Sequence, residues 1–193
     1  MRERLRLANA YPYAIPQGSF VQVGERTAAL TDVPDLTGRR PLLAYGSNAA
    51  PEALVRKLAA EPAVPLPLIR AELADFDAVY SDHLSPYGAV PATLHPSPGT
   101  ILPAFVAYPT ERQRRRLAAT EPNYEERRLG PVECRLELGE PLDEVDAFIS
   151  RHDFLELDGS PVALAALPAR GRRFPELDQT AAKRLRAKRA SSP

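Results

Sequence analysis

Four consecutive residues carry the first chemical signal. Tyr45-Gly46-Ser47-Asn48 close a short apolar run, Pro41-Leu42-Leu43-Ala44-Tyr45, and precede Pro51. Proline suits the first turn of a helix, where its missing N–H costs nothing. A turn between a strand and a helix aligns successive backbone N–H groups, which can cradle an anion with the positive end of the helix dipole behind them. The same residues also suit a plain strand–helix turn in which Ser47 or Asn48 caps the helix. Ser47 is a poor nucleophile candidate, because a nucleophile elbow needs a small residue two positions earlier and Tyr45 stands there.

Glu121 is the second signal. It falls just past the end of a helix that starts at Thr110, where the dipole is negative and an anion is disfavoured. Partial burial there raises a carboxyl pKa, and such a carboxylate is a usable general base near neutral pH. An exposed helix-end glutamate is the plainer reading. His83, His95 and His152 are scattered, without a cysteine or carboxylate cluster at ligand spacing, so no metal site is expected. No GxGxxG or Walker lysine motif occurs. Cys134 is the only cysteine, which excludes an intrachain disulfide, and on the apolar face of a strand it reads as core.

The elements that must position these residues are short. Proline is abundant, 21 residues against 10 glycines in 193, and at that density it breaks long helices and removes ladder donors. Val21 and Val23 suggest one strand in an otherwise poorly periodic start, and Asp32 to Arg40 reads as a loop. Leu54, Val55 and Leu58 give the helix after Pro51 a narrow apolar stripe. Strands are predicted over Ile69 to Tyr80, Pro91 to Leu94, Ile101 to Tyr108, Val132 to Leu138, Ala147 to Ile149 and Val162 to Leu167. Pro96-Ser97-Pro98-Gly99 reads as a turn between the second and third of these. Thr110 and Gln113 have capping-box spacing, and the helix they open must stop before Pro122. Ala181 to Arg189 reads as a basic helix. Six or so strands with three helices, mostly strand after strand, give an α+β fold: a small mixed barrel or sheet with flanking helices.

Composition bounds the function class. Hydrophobic residues make up 44% and charged residues 26%, which argues against wholesale disorder. The net charge is zero, but the segment from Pro168 to Pro193 carries +6 and the remainder −6. A basic tail folded back on an acidic body is favoured over a polyanion-binding tail, since a nucleic-acid binder shows a basic surface on its folded domain too. No apolar run approaches the length of a membrane span. The N-terminus does not read as a secretory signal, so the cytoplasm is the expected location.

Loop and glutamate together resemble the gamma-glutamylcyclotransferase-like superfamily. Tyr45-Gly46-Ser47-Asn48 is similar to its signature loop; Pro91-Ala92-Thr93-Leu94 with Pro98-Gly99 looks like its strand–turn–strand. Leu117 to Glu121, followed by Tyr124 and Arg127 or Arg128, resembles its acidic segment, and Ala147-Phe148-Ile149 its next core strand. The match spans roughly residues 41–150 and divides the chain into an N-terminal arm (1–40) packing on a domain (41–167) and a basic helical tail (168–193). Two departures bear on substrate: Leu102-Pro103-Ala104-Phe105 lacks the glycine usual in that strand, and Pro122 follows Glu121 in place of the usual glycine.

The resemblance implies a cavity between loop and glutamate and an intramolecular reaction. The α-amine of a γ-glutamyl group attacks its γ-carbonyl, releasing 5-oxoproline and an amine. Glu121 would be the catalytic base and then the acid. Tyr45, Gly46, Ser47, Asn48 and Tyr124 would bind substrate, with amides of Gly46 to Asn48 stabilising the oxyanion. The implied partner is a small molecule, with no metal or organic cofactor, no membrane and no nucleic acid; no feature specifies an oligomeric state. The alternative is a non-catalytic relative that binds a small anionic metabolite, with Glu121 held in a salt bridge to Arg127 or Arg128.

Overall fold

The computed structural model describes residues 2–190, so Met1 of the expected arm and the last three residues of the expected tail lie outside it. The chain runs α1 (Arg2–Ala10), β1 (Phe20–Val23), β2 (Arg26–Ala29), β3 (Leu42–Ala44), α2 (Pro51–Leu58), β4 (Leu66–Tyr80), β5 (Ala92–Ala107) and α3 (Glu111–Ala119). It continues β6 (Tyr124–Leu129), β7 (Cys134–Leu136), β8 (Val145–Ser150), β9 (Glu156–Leu157), β10 (Ser160–Pro161), β11 (Ala163–Leu164), β12 (Glu176–Leu177) and α4 (Gln179–Ala190). The class is α+β, as the order of elements predicts. Of the two expected forms it takes the sheet: ten strands run β12-β11-β4-β5-β3-β8-β6, with the β1–β2 hairpin and β7 attached to β4, and the path does not close into a barrel. No helix among the described residues is long and apolar enough to cross a membrane.

The antiparallel pair β4–β5 is the scaffold. Leu68 to Tyr80 pairs with Ala107 to Ala92 along one edge of β4, while β1, β7 and β11 take successive stretches of the other edge. Both faces are covered. Leu43, Ile69, Ala71, Leu73, Leu102 and Val106 pack on one side, and Leu42, Leu66, Leu68, Phe105, Leu117 and Phe148 on the other. That is why β3 and the start of β4 read as unbroken apolar runs rather than alternating ones.

The structure corrects the expected break in β5. Pro91–Leu94 and Ile101–Tyr108 are not two strands joined by a reversing turn but parts of one strand carrying a bulge. Between the pairs Ala74↔Ile101 and Phe76↔Pro96, β4 inserts Asp75 alone and β5 inserts Ser97 to Thr100. Asp75 (φ 63°) and Gly99 (φ 84°) both take the left-handed region, and the Gly99 N–H donates to Asp75 Oδ1 at 2.7 Å. The single inserted residue reverses the parity of β4: Ile69, Ala71 and Leu73 face the larger core before it, Ala78 and Tyr80 after it. The prolines at 96 and 98 sit where the ladder needs no donor.

Three other expectations change. The clean alternation over Val132 to Leu138 pairs only from Cys134 to Leu136. A helix, α1, occupies the start that read as aperiodic, and a charged strand, β6, follows Glu121. The helices number four among the described residues rather than three. The capping box at Thr110 forms in full, the Gln113 N–H donating to the Thr110 hydroxyl at 3.2 Å and the Thr110 N–H to Gln113 Oε1 at 2.9 Å.

The basic C-terminal segment lies against acidic residues of the sheet. Arg172 makes a bidentate pair with Asp77, Nε to Oδ2 and Nη2 to Oδ1, both at 2.8 Å. Asp77 is fully buried, so the polar face read from the alternation of β4 meets this guanidinium rather than water. On α4, Gln179 clamps the Val90 backbone, Arg186 pairs with Asp82, and Arg189 reaches Asp82 and Glu156. Removing one partner of a buried pair strands the other. Asp77→Ala is therefore expected to lower the unfolding free energy by about 3–5 kcal/mol in denaturant titrations.

Candidate functional site

The sequence from Ala44 to Pro51 turns the chain from β3 into α2 through a single 3-10 turn, Ser47–Ala49. Its own hydrogen bonds use the N–H groups of Ala49 and Ala50, which donate to Gly46 and Ser47 carbonyls at 3.0 and 3.1 Å. The donors it can still offer a ligand are those of Gly46, Ser47 and Asn48. Gly46 is required by close approach, not by an unusual backbone angle: a Cβ there would lie 2.9 Å from the Tyr11 hydroxyl. Neither Ser47 nor Asn48 caps α2, whose N-cap is Ala50 with no side-chain hydrogen bond.

Those two side chains serve Lys57 instead. From the last turn of α2, its ammonium donates to Ser47 Oγ at 3.2 Å, Asn48 Oδ1 at 2.6 Å and Glu121 Oε1 at 2.5 Å. Lysine has three N–H donors, and all three are engaged. The Asn48 amide closes the ring by donating Nδ2–H to the same Glu121 oxygen at 3.2 Å. Both contacts to the carboxylate use Oε1, leaving Oε2 uncommitted among the described residues. The side chains of Lys57 and Glu121 are each 16% exposed, so the pair is shielded but reachable. Arg127 and Arg128 are not its partners: Arg127 pairs with Glu125, and Arg128 with Glu144 and Asp146.

Loop and glutamate share one open cavity of about 100 Å³, and Tyr45, Gly46, Ser47, Asn48, Glu121 and Tyr124 all line it. A tyrosine wall completes it. Tyr11 Oη accepts the Ala92 N–H at 2.8 Å, Tyr124 donates to the Ala92 carbonyl at 2.8 Å, and Tyr45 donates to the Phe148 carbonyl. Burial raises the pKa of all three phenols, and the Glu121 charge adds to it, so they remain protonated. His83 also lines the cavity, with burial and then the neighbouring His152 and Arg186 lowering its pKa to about 4. At neutral pH the charges of Lys57 and Glu121 cancel and His83 adds none.

Three of these residues carry no sequence signal. Lys57 looks like any solvated lysine on an amphipathic helix, Tyr11 lies in the segment that read as an aperiodic arm, and His83 stands in the loop after β4. Only the tertiary fold gives them a role.

No family model and no curated protein matches the sequence. Solved structures that the chain is similar to include a gamma-glutamyl cyclotransferase, at 16% identity over 59% of this chain and 68% of that one, with a TM-score of 0.44. A protein from Arabidopsis thaliana solved in solution is similar at 20% identity over 81% and 88%, TM-score 0.48. An uncharacterized protein from Homo sapiens is similar at 16% identity over 81% and 82%, TM-score 0.47.

The Gly46–Tyr11 contact predicts a coupling. Gly46→Ala should cost roughly 1–3 kcal/mol through overpacking, and clearly less in a Tyr11→Phe background, where the obstructing oxygen is gone; a double-mutant cycle in thermal denaturation reads the difference. His83 predicts a pH effect. Its pKa is about 4 in the folded chain against about 6.5 ordinarily, so between those values the unfolded chain binds more protons. Stability should fall as pH drops through that window, and His83→Asn should flatten this component of the slope in denaturation curves taken from pH 7 to pH 4.5.

Proposed function

We propose that the protein is a cyclotransferase-type enzyme that cleaves a γ-glutamyl amide, or a related small amine conjugate, and releases 5-oxoproline. The observation that carries the reading is that Glu121 and Gly46 to Asn48, whose backbone N–H groups have no partner among the described residues, line the same cavity. The resemblance of Tyr45-Gly46-Ser47-Asn48 to the gamma-glutamylcyclotransferase-like signature loop agrees with it.

The chemistry follows from charge and reach. A substrate α-ammonium would bind Glu121 through Oε2, the oxygen not engaged by Lys57 and Asn48. As the ammonium passes a proton to that carboxylate, the neutral amine attacks the γ-carbonyl carbon and a C–N bond forms. Negative charge then gathers on the carbonyl oxygen, where N–H groups of the loop meet it. Collapse breaks the original amide bond as the proton held by Glu121 goes to the departing nitrogen, and the ring nitrogen then gives its second proton to the freed carboxylate, which passes it on to the released amine. The products are 5-oxoproline and the free amine, and no other reactant is consumed. Folding the substrate so that amine and carbonyl meet is an orientation problem, which suits a narrow cavity. At about 100 Å³ the hollow fits the glutamyl head, with the leaving group extending outward through its open side.

One observation favours a second reading. Glu121 is ion-paired with Lys57, so its carboxylate already has a fixed partner within the protein. A protein that only binds a small metabolite would be built this way.

Glu121→Gln separates the two. In the enzyme it should lower the rate of 5-oxoproline release from a panel of γ-glutamyl amides by roughly 10²- to 10⁴-fold, with the melting temperature showing that the variant is folded. Undiminished turnover would remove Glu121 from the mechanism. A wild-type protein that turns over none of the panel, yet binds 5-oxoproline or glutamate in calorimetry, would leave the binding reading.

A further inference from the structure

We propose that His83 is a ligand-binding residue of this cavity, donating its Nε2–H to a carboxylate or carbonyl oxygen of the molecule held there. The cyclotransferase reading enters only through the choice of ligand.

The proton order of a buried chain fixes which nitrogen donates. The His152 backbone N–H donates to Ser150 Oγ at 3.1 Å, Ser150 Oγ lies 2.7 Å from Ser81 Oγ, and Ser81 Oγ lies 2.8 Å from His83 Nδ1. Ser150 already accepts one N–H, and Ser81 is the acceptor in reach of its own proton. Ser81 then passes its proton to Nδ1 at 2.8 Å rather than to the Asp153 carbonyl at 3.5 Å. With the hydrogen on Nδ1 instead, Ser81 would have to send its own proton to the Asp153 carbonyl at 3.5 Å or strand the Ser150 proton, on a residue only 8% exposed. Nδ1 is therefore the acceptor and Nε2 carries the hydrogen.

That Nε2–H has no protein partner among the described residues, and it is not one of the sealed, unpaired polar atoms of the interior. His83 is one of the residues that line the cavity, so the cavity is where a partner for this group would come from. Its orientation is fixed from two sides. His152 stacks on it at 4.6 Å between centroids and 27°, and Tyr124 meets it edge-on at 5.6 Å and 68°. A rigid donor loses little entropy on binding. The cavity also lacks a spare cation, because Lys57 is spent on Ser47, Asn48 and Glu121. A carboxylate entering it must be met by neutral N–H donors, and the imidazole is one such side chain, beside the amides of Asn48 and Asn123.

The test uses 5-oxoproline as probe and two variants. His83→Asn keeps an amide near the position of Nδ1, so Ser81 stays partnered, but reaches no further. His83→Gln extends an N–H to about the position of Nε2. Calorimetry should show His83→Asn weakening 5-oxoproline binding by roughly tenfold to a hundredfold, with His83→Gln recovering most of it. In turnover the Asn variant should raise KM with kcat little changed, the signature of lost uniform binding. Nitrogen NMR of the labelled imidazole should report the Nε2–H tautomer and a shift at Nε2 when 5-oxoproline is added. An Nδ1–H tautomer, or an Asn variant that binds like the wild type, overturns the inference. If Glu121→Gln abolishes turnover while His83→Asn leaves KM unchanged, the His83 role falls and the enzyme stands. If the wild type shows no turnover yet binds 5-oxoproline in a His83-dependent way, the enzyme falls and the His83 role stands.

Discussion

A single ammonium holds the candidate site together. Lys57 comes from α2, Ser47 and Asn48 from the turn before it, and Glu121 from the far end of α3, and among the described residues Lys57 Nζ is the atom that bonds to all three. Each partner is an oxygen acceptor, so without the cation the acceptors would face one another. With it, Asn48 is oriented: its carbonyl must face the lysine, which turns its amide toward Glu121. Orientation of the loop, placement of the glutamate and the separation of α2 from α3 are thus one interaction viewed three ways. Because the pair is largely screened from water, the attraction is stronger than that of a surface pair.

The scaffold beneath that interaction explains which parts were legible in the sequence. The loop, the capping box at Thr110 and the end of α3 before Pro122 are local signals, each written within a few residues, and they bring Glu121 to its helix end without knowledge of the fold. The bulge is different in kind. Whether Pro96 to Gly99 reverses the chain or merely widens a strand depends on what β4 does opposite it, and Asp75 gives no sign of its role in its own neighbourhood. α1 was hidden because Arg4, Leu5, Arg6 and Leu7 alternate with period two. β6 was hidden because Tyr124 to Leu129 is mostly charged, as befits the strand at one end of the sheet, and so shows no apolar alternation. Val132 to Leu138 failed in the opposite direction: its pattern is clean, but one edge of β4 is shared among three strands and leaves β7 only three residues of pairing.

The residues before 41 and after 167 take part in the site's support. Tyr11 reaches the Ala92 backbone beneath the loop, Arg172 neutralises Asp77 under the bulged half of β4, and Gln179 clamps Val90 just ahead of β5. Ala92 is the meeting point: its N–H donates to Tyr11 and its carbonyl accepts from Tyr124. One residue at the start of β5, through the two peptide groups that flank its Cα, therefore fixes two of the three phenols in the cavity wall. Tyr124 spends its proton on the Ala92 carbonyl whereas Tyr11 accepts and keeps its own, and burial holds both phenols protonated.

The charge economy of the hollow then restricts what it can hold. A pocket with an unpaired lysine would attract any anion, and one with an unpaired glutamate any cation. Here the two cancel at 2.5 Å, and the groups left over are neutral N–H donors on one side and a single uncommitted carboxylate oxygen on the other. Such an arrangement disfavours phosphates and polyanions, for which no compensating charge remains, and disfavours a bare amine, which would leave the donors unmet. The head group of the proposed substrate, bearing both an ammonium and a carboxylate, would satisfy both sides at once. Selectivity of that sort comes from polar groups that would be left unpaired by the wrong ligand rather than from the strength of any one contact.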